Sequence, residues 1–221
     1  MKATLKSKIV YVITEIIIIS IGVLFAFFIT NTNNKLKESE REKKIVYDLI
    51  QDIKYNIEQA EYSLTINNKI ILDCEYSVKS LKNGDFDLDS LPIKLPALTF
   101  VIINQIKTST YESIKNSGEL SIIQNEILRK IIAEYYISSD DVRRVENIFN
   151  NFSDDSRQFI QKNIDIKNIR NHPKELLSSS EFYNLFHSAK YYTESRGLYY
   201  QEFASESTKL EEQLKKYYET L

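Results

Sequence analysis

The chain has 221 residues, 43% hydrophobic and 27% charged, enough for one domain with a small appendage. Its 4 glycines and 3 prolines are too few for the turns of a β-sandwich or barrel, and no two glycines stand in a phosphate-cradling spacing, which argues against Rossmann and P-loop enzymes. The 29 basic and 31 acidic residues give a net charge of −2, without the basic excess of a nucleic-acid binder. One cysteine forbids an internal disulfide and a multi-cysteine zinc site, and His172 and His187 leave little for metal or acid–base chemistry. No cofactor, nucleic acid or small-molecule substrate is expected.

After a short basic tail (1–8, with Lys2, Lys6 and Lys8), residues 9–30 form an apolar run, IVYVITEIIIISIGVLFAFFI over 9–29. At helical rise these roughly 21 residues reach about 32 Å, the thickness of a hydrocarbon core. In lipid a lone segment must satisfy its own backbone, so it reads as a transmembrane helix. The run is too long for a signal peptide and no small-x-small cleavage site follows it, so the anchor is expected to remain uncleaved. The lysines and arginine beyond the span (Lys35, Lys37, Arg41, Lys43, Lys44) tilt the positive-inside count towards a cytoplasmic C-terminal domain. Against that, a long domain translocates largely regardless of charge, and the lysine-rich tail is costly to move. The favoured orientation is tail inside, domain outside.

Glu15 is the polar exception in the span, about 10 Å in at helical rise. An intramembrane carboxylate is a candidate polar site; it snorkels, is protonated, hydrogen-bonds a neighbouring helix, or serves a proton-driven complex. Gly22 and Ala26 form a small-xxx-small pair that permits close helix packing.

Residues 31–45 read as a charged helical linker, with Glu38–Arg41 and Glu40–Lys44 at helical spacings. A helical bundle domain is expected over 46–221. Alternating steps of four and three residues from Val46 meet Ile50, Ile53, Ile57, Ala60, Leu64, Asn67, Ile71, Cys74, Val78 and Leu81, the 3.5-residue repeat of a coiled-coil seam. Asn67 would fix its register, and Cys74 reads as a small buried hydrophobe.

Asn83-Gly84 ends this helix, and 85–96 reads as a loop with two prolines. Its Asp85-x-Asp87-x-Asp89 run departs from an EF-hand at Ser90 and Pro96, so it reads as a solvated acidic loop. Residues 97–107 suit a helix or a short buried strand. A helix capped by Asn125 is expected to run to about Ser138, and another, capped by Ser139, Asp140 or Asp141, to about Asn163. His172-Pro173 punctuates the last loop. A capping box at Ser178 and Glu181 starts a C-terminal helix whose stripe runs through Phe182, Leu185, Ala189, Tyr192, Tyr199, Phe203, Leu210, Leu214, Tyr217 and Leu221, interrupted at Arg196-Gly197 and slipping near Ser207. The two long segments match in length and are expected to pair antiparallel, with pairing between copies as the alternative. The predicted fold is all-α: a transmembrane helix continuing into a long coiled-coil-like helix, packed with a long C-terminal helix and three to four shorter ones as an elongated bundle.

Two blocks resemble a known family. Glu15-Ile16, Ile21-Gly22-Val23, Ala26 and Ile29 are similar to the anchor of a family of bacterial single-span membrane proteins, domain of unknown function 6090. Thr14 and Thr32 stand where that family carries glycine and tryptophan. The second block is Thr110-Tyr111-Glu112, Lys115, Ser117-Gly118, Leu120, Ile123, Asn125, Leu128-Arg129, Ile132 and Tyr135-Tyr136. The resemblance implies a membrane anchor plus a helical domain in the bacterial inner membrane, and no established activity. Physically, Gly118 supplies a positive φ that stops a short helix over 111–116, Leu120 and Ile123 fold back, and Glu112 and Arg129 are placed to pair across the corner. Tyr111, Glu112, Arg129 and Tyr135 read either as a corner that orients helices or as a recognition pocket.

The expected function is a membrane-anchored scaffold or interaction module, touching membrane lipid and either a protein partner or a second copy. Alternatives are an extracytoplasmic ligand-sensing bundle and a stator-like accessory subunit using Glu15. The sequence places no Ser-His-Asp or Cys-His set, and Asp140-Asp141 and Asp154-Asp155 read as helix caps, so an enzyme is not expected. The tyrosine pairs 135/136, 191/192, 199/200 and 217/218 would each pack one ring and present the other at the rim.

Overall fold

The computed structural model describes residues 2–102, 105–165 and 174–221, and among these no residue is in a β-strand. The first helix, α1 (Lys2–Asn83), runs 82 residues without a break. Between Gly22 and Gly84 the sequence offers neither glycine nor proline, so nothing interrupts the backbone ladder. It stops where expected. Gly84 takes φ +73°, its N–H reaches the Leu81 carbonyl at 3.2 Å, and the Asp85 N–H reaches that of Ser80 at 3.1 Å. That is a left-handed glycine cap.

The chain then makes a 3₁₀ turn (Leu88–Ser90), two single-turn helices, α2 (Leu91–Lys94) and α3 (Pro96–Thr99), and an irregular segment leading to α4 (Ser109–Asn116). The stretch expected as loop is therefore partly helical, because Pro92 and Pro96 both sit at helix starts, where a missing N–H costs nothing. After a second 3₁₀ turn (Glu119–Ile122) come α5 (Glu126–Asn163), α6 (Lys174–Leu177) and α7 (Ser180–Tyr218).

Two boundaries differ from expectation. Helix α5 is one helix, not two: Ser138 and Ser139 turn their hydroxyls onto the carbonyls of Tyr135 (2.9 Å) and Tyr136 (2.8 Å) within the helix. Asp140, Asp141 and Asp154 pair with Arg143, Arg144 and Arg157 one turn on, so these acids are mid-helix and cap nothing. At α7 the cap is Ser179, whose hydroxyl accepts from the Phe182 N–H at 3.2 Å, and the capping box at Ser178 does not form. His172-Pro173 lies outside the described residues.

Helix α7 packs antiparallel along α1: Glu75 pairs with Lys190 at 3.0 Å near the far end, and Glu42 accepts from the Tyr217 hydroxyl near the apolar segment. Helix α5 runs parallel to α1 and antiparallel to α7, with Tyr135 at Ser207 (2.9 Å) and Glu146 at Tyr200 (2.7 Å). The described parts of the connection, 85–102 and 105–123, lie against α1 and α5.

All three long helices bury an unbroken 3.5-residue repeat. On α1 it is Glu42, Val46, Leu49, Ile53, Asn56, Ala60, Ser63, Asn67, Ile70, Cys74 and Ser77. This shares Val46, Ile53, Ala60, Asn67 and Cys74 with the expected seam, but the alternate positions fall one residue earlier, leaving Ile57, Leu64, Ile71 and Val78 half-buried. On α7 the line is Phe182, Phe186, Ala189, Thr193, Arg196, Tyr200, Phe203, Ser207, Leu210 and Leu214. The expected interruption at Arg196-Gly197 and slip at Ser207 do not exist: polar residues occupy those positions in register. On α5 it is Leu128, Ile132, Tyr135, Ser139, Val142, Glu146, Phe149, Ser153, Ser156 and Ile160.

Of residues 97–107, the first three continue the short helix α3, as one of the two expectations had it, and the described residues beyond Thr99 are neither helix nor strand. Phe100 is extended (φ −74°, ψ 123°), its carbonyl accepts from Ser153, and Lys107 binds Asn56.

Candidate functional site

The signature corner lies at the end of the bundle nearest the apolar segment. Gly118 has φ +76°, the backbone state that only glycine adopts cheaply, and Asn125 caps α5 by accepting from the Leu128 N–H at 3.0 Å. Tyr111 is buried and stacks on Tyr136 with centroids 4.3 Å apart and planes 8° apart. Tyr135 is buried too, so this pair packs both rings; in 199/200 one ring is buried and the other 42% exposed. The expected Glu112–Arg129 pair does not form. Glu112 is exposed 4.0 Å from Lys115, while Arg129 donates to the carbonyls of Ile123 and, at 3.3 Å, Gln124. The four residues do not share one lining: Tyr111 and Tyr135 are in the core, Glu112 faces solvent, and Arg129 secures the turn before α5.

Three buried polar layers tie the elements together. Nearest the apolar segment, Glu42 accepts from the Gln124 N–H at 2.7 Å and from the Tyr217 hydroxyl, and beside it Arg41 pairs with Glu119 at the surface. About 21 Å along α1, Asn56 clasps Lys107 as a strand partner would: it accepts from the Lys107 N–H at 2.7 Å and donates to its carbonyl at 3.1 Å. The same amide lies 3.2 Å from the Tyr135 hydroxyl. One turn below, Asp52 accepts from the Thr110 N–H at 3.2 Å, satisfying the first turn of α4.

The third layer is farthest from the apolar segment. Asn67 donates to the Thr193 carbonyl at 2.8 Å and accepts from Arg196 Nε at 2.9 Å. The fully buried Arg196 guanidinium lies 3.8 Å from the Phe149 ring centroid, and among the described residues its Nη1 and Nη2 atoms have no hydrogen-bond partner. Burial brings its pKa down to about 10, opposed by Tyr200 and Glu146. Burial pushes Tyr135 up to about 12 and raises Tyr136 and Tyr200 further, Tyr200 also feeling Glu146. The Cys74 thiol, fully buried, is pushed up to about 12 by burial and then by Asp73, so it behaves as the small hydrophobe expected.

Glu42, Asp52, Asn56, Glu146, Arg196 and Tyr200 were not expected as site residues. For all but Asp52 the signal was positional: they fall on the buried heptad lines of their helices. The layers fix register. Among the described residues no group of three or more His, Cys, Asp and Glu is placed to hold a metal.

The surface offers one long feature. Between α5 and α7 lie two adjoining cavities of about 480 and 370 Å³, sharing Ile131 and Gln213. Ile127 stands at the lip, 74% exposed, and Lys209, Lys216, Glu134 and Glu206 edge the groove. Glu15 lies apart from all of this, exposed on the stretch of α1 that no other element covers. The chain matches no protein-family model, no curated protein and no solved structure.

Proposed function

We propose that this chain is a membrane-anchored helical scaffold, its bundle held outside the cytoplasm of a bacterial cell to bind protein partners. One observation carries the reading: a single helix supplies both the apolar segment and the central wall of the bundle. Its window of mean hydropathy 2.0 is wholly exposed. Ile16, Ile19, Leu24, Phe27 and Phe28 are 58–74% exposed there, a surface that water does not tolerate and lipid does. The α5–α7 groove, apolar at its floor and mixed in charge at its rim, suits a partner helix or peptide. The likeness to domain of unknown function 6090 supports the same architecture.

The test is fractionation with topology. The full chain should stay in the membrane pellet after alkaline carbonate washing, and a reporter fused after Leu221 should be active only outside the cytoplasm. Release into the wash would overturn the anchor, and a cytoplasmic reporter signal would overturn the compartment. A second reading, a ligand-sensing bundle, is favoured by the unbonded Arg196 Nη atoms. It requires one small anion to raise the melting temperature above others at equal ionic strength.

A further inference from the structure

We infer that α1 pairs in parallel with the α1 of a second copy, through the face that carries Glu15, Ile19, Gly22, Ala26 and Asn33. The inference rests on the membrane reading above. At about 100° per residue these five positions fall within an arc of about 60°. Glu15 makes no hydrogen bond or ion pair with any described residue, and a carboxyl group held in hydrocarbon without a partner is strongly disfavoured. Gly22 has nothing within 4 Å of where a Cβ would stand, so a neighbouring backbone has room to approach beside Ala26.

The bundle leaves this face open. Glu42, Val46 and Leu49, which begin the buried line, lie about 180° around the axis from Asn33 on the same unbroken helix. Two copies standing in one membrane therefore meet front to front while their bundles project to opposite sides. The face is also self-complementary about a twofold axis along the helices. Carboxyl meets carboxyl at Glu15 and small meets small at Gly22. Beyond the span, exposed Lys37, Glu40 and Lys44 continue the same face, setting Glu40 of each copy between two lysines of the other.

Single cysteines placed in a Cys74→Ser chain, oxidised in native membranes and read as dimer on non-reducing gels, test this directly. Ala26→Cys and Asn33→Cys should give at least five times the dimer of Leu24→Cys and Phe28→Cys, which lie on the opposite face. In the Ala26→Cys chain, Glu15→Leu should lower the yield several-fold while Glu15→Gln, which keeps a hydrogen-bonding group, retains it. Equal yields on both faces, no dimer from a membrane-retained chain, or an adduct with a different protein instead would overturn the pairing alone. A chain recovered in the carbonate wash would overturn the membrane reading and the pairing with it.

Discussion

Gly197 shows how much one missing side chain holds. A Cβ there would stand 2.8 Å from Asn67 Nδ2, inside contact distance of the amide that binds both the Thr193 carbonyl and Arg196. Gly197→Ala gains about 1 kcal/mol of helix propensity, yet it displaces Asn67 from two buried hydrogen bonds worth about 1–3 kcal/mol each. The net expectation is a loss of about 1–5 kcal/mol of unfolding free energy, read from denaturant titration. Combined with Asn67→Ala, which vacates the space, the change should cost clearly less than the sum of the two singles. Cys74 gives an independent readout. With its thiol buried and its pKa raised to about 12, alkylation at neutral pH should be negligible until the bundle unfolds, and rapid modification of the native chain would contradict this packing.

At the scale of elements, α1 organises its neighbours through polar side chains as much as apolar ones. Asn56 substitutes for a neighbouring strand, giving the backbone of Lys107 both a donor and an acceptor. Asn56→Ala should cost about 2–4 kcal/mol, since it orphans a backbone N–H and C=O as well as the contact to Tyr135. Hydrogen exchange should localise the damage: the Lys107 and Thr110 amides should exchange faster, while those near Asn67 and Arg196 keep their protection. The layers also explain what the sequence made legible. Helices, the antiparallel α1–α7 pair, Gly84, Gly118, Asn125 and Asn67 each carry a local chemical signature. The exact seam does not, because five of its eleven positions on α1 are polar, and scoring by hydrophobicity slid the line onto Ile57, Leu64 and Val78. Arg196 keeps the register through a distant partner, Asn67, and Ser139 stays mid-helix by turning its hydroxyl onto the Tyr136 carbonyl. The Glu112–Arg129 pair failed likewise, since sequence proximity to a corner does not fix which way either side chain turns.

At the scale of the molecule, these buried groups set an alkaline limit. Cys74, Tyr135, Tyr136 and Tyr200 all hold their protons more tightly folded than unfolded. Below about pH 8 both states are neutral and stability is full, Cys74 being the first of these groups to ionise in the unfolded chain and the tyrosines following about one pH unit later. From about pH 8 to 12 the unfolded chain loses protons that the folded chain keeps, and stability falls by about 1.4 kcal/mol per pH unit for each such group. Arg196 acts in the opposite sense above about pH 10, since its folded form gives up a proton first, but it is one group against four. Circular dichroism should therefore show a steep alkaline unfolding, coincident with late tyrosinate absorbance at 295 nm. Ionisation of all 15 tyrosines with the helix intact would contradict the burial of these rings.

The unbroken course of α1 has a mechanical corollary. From residue 30 to Asn83 it is a beam of about 80 Å, stiffened over most of that length by α7. A tilt of 10° imposed on its apolar foot sweeps the far tip sideways by about 14 Å. If that foot stands in lipid, as proposed above, small changes in bilayer thickness become large excursions of whatever the bundle carries.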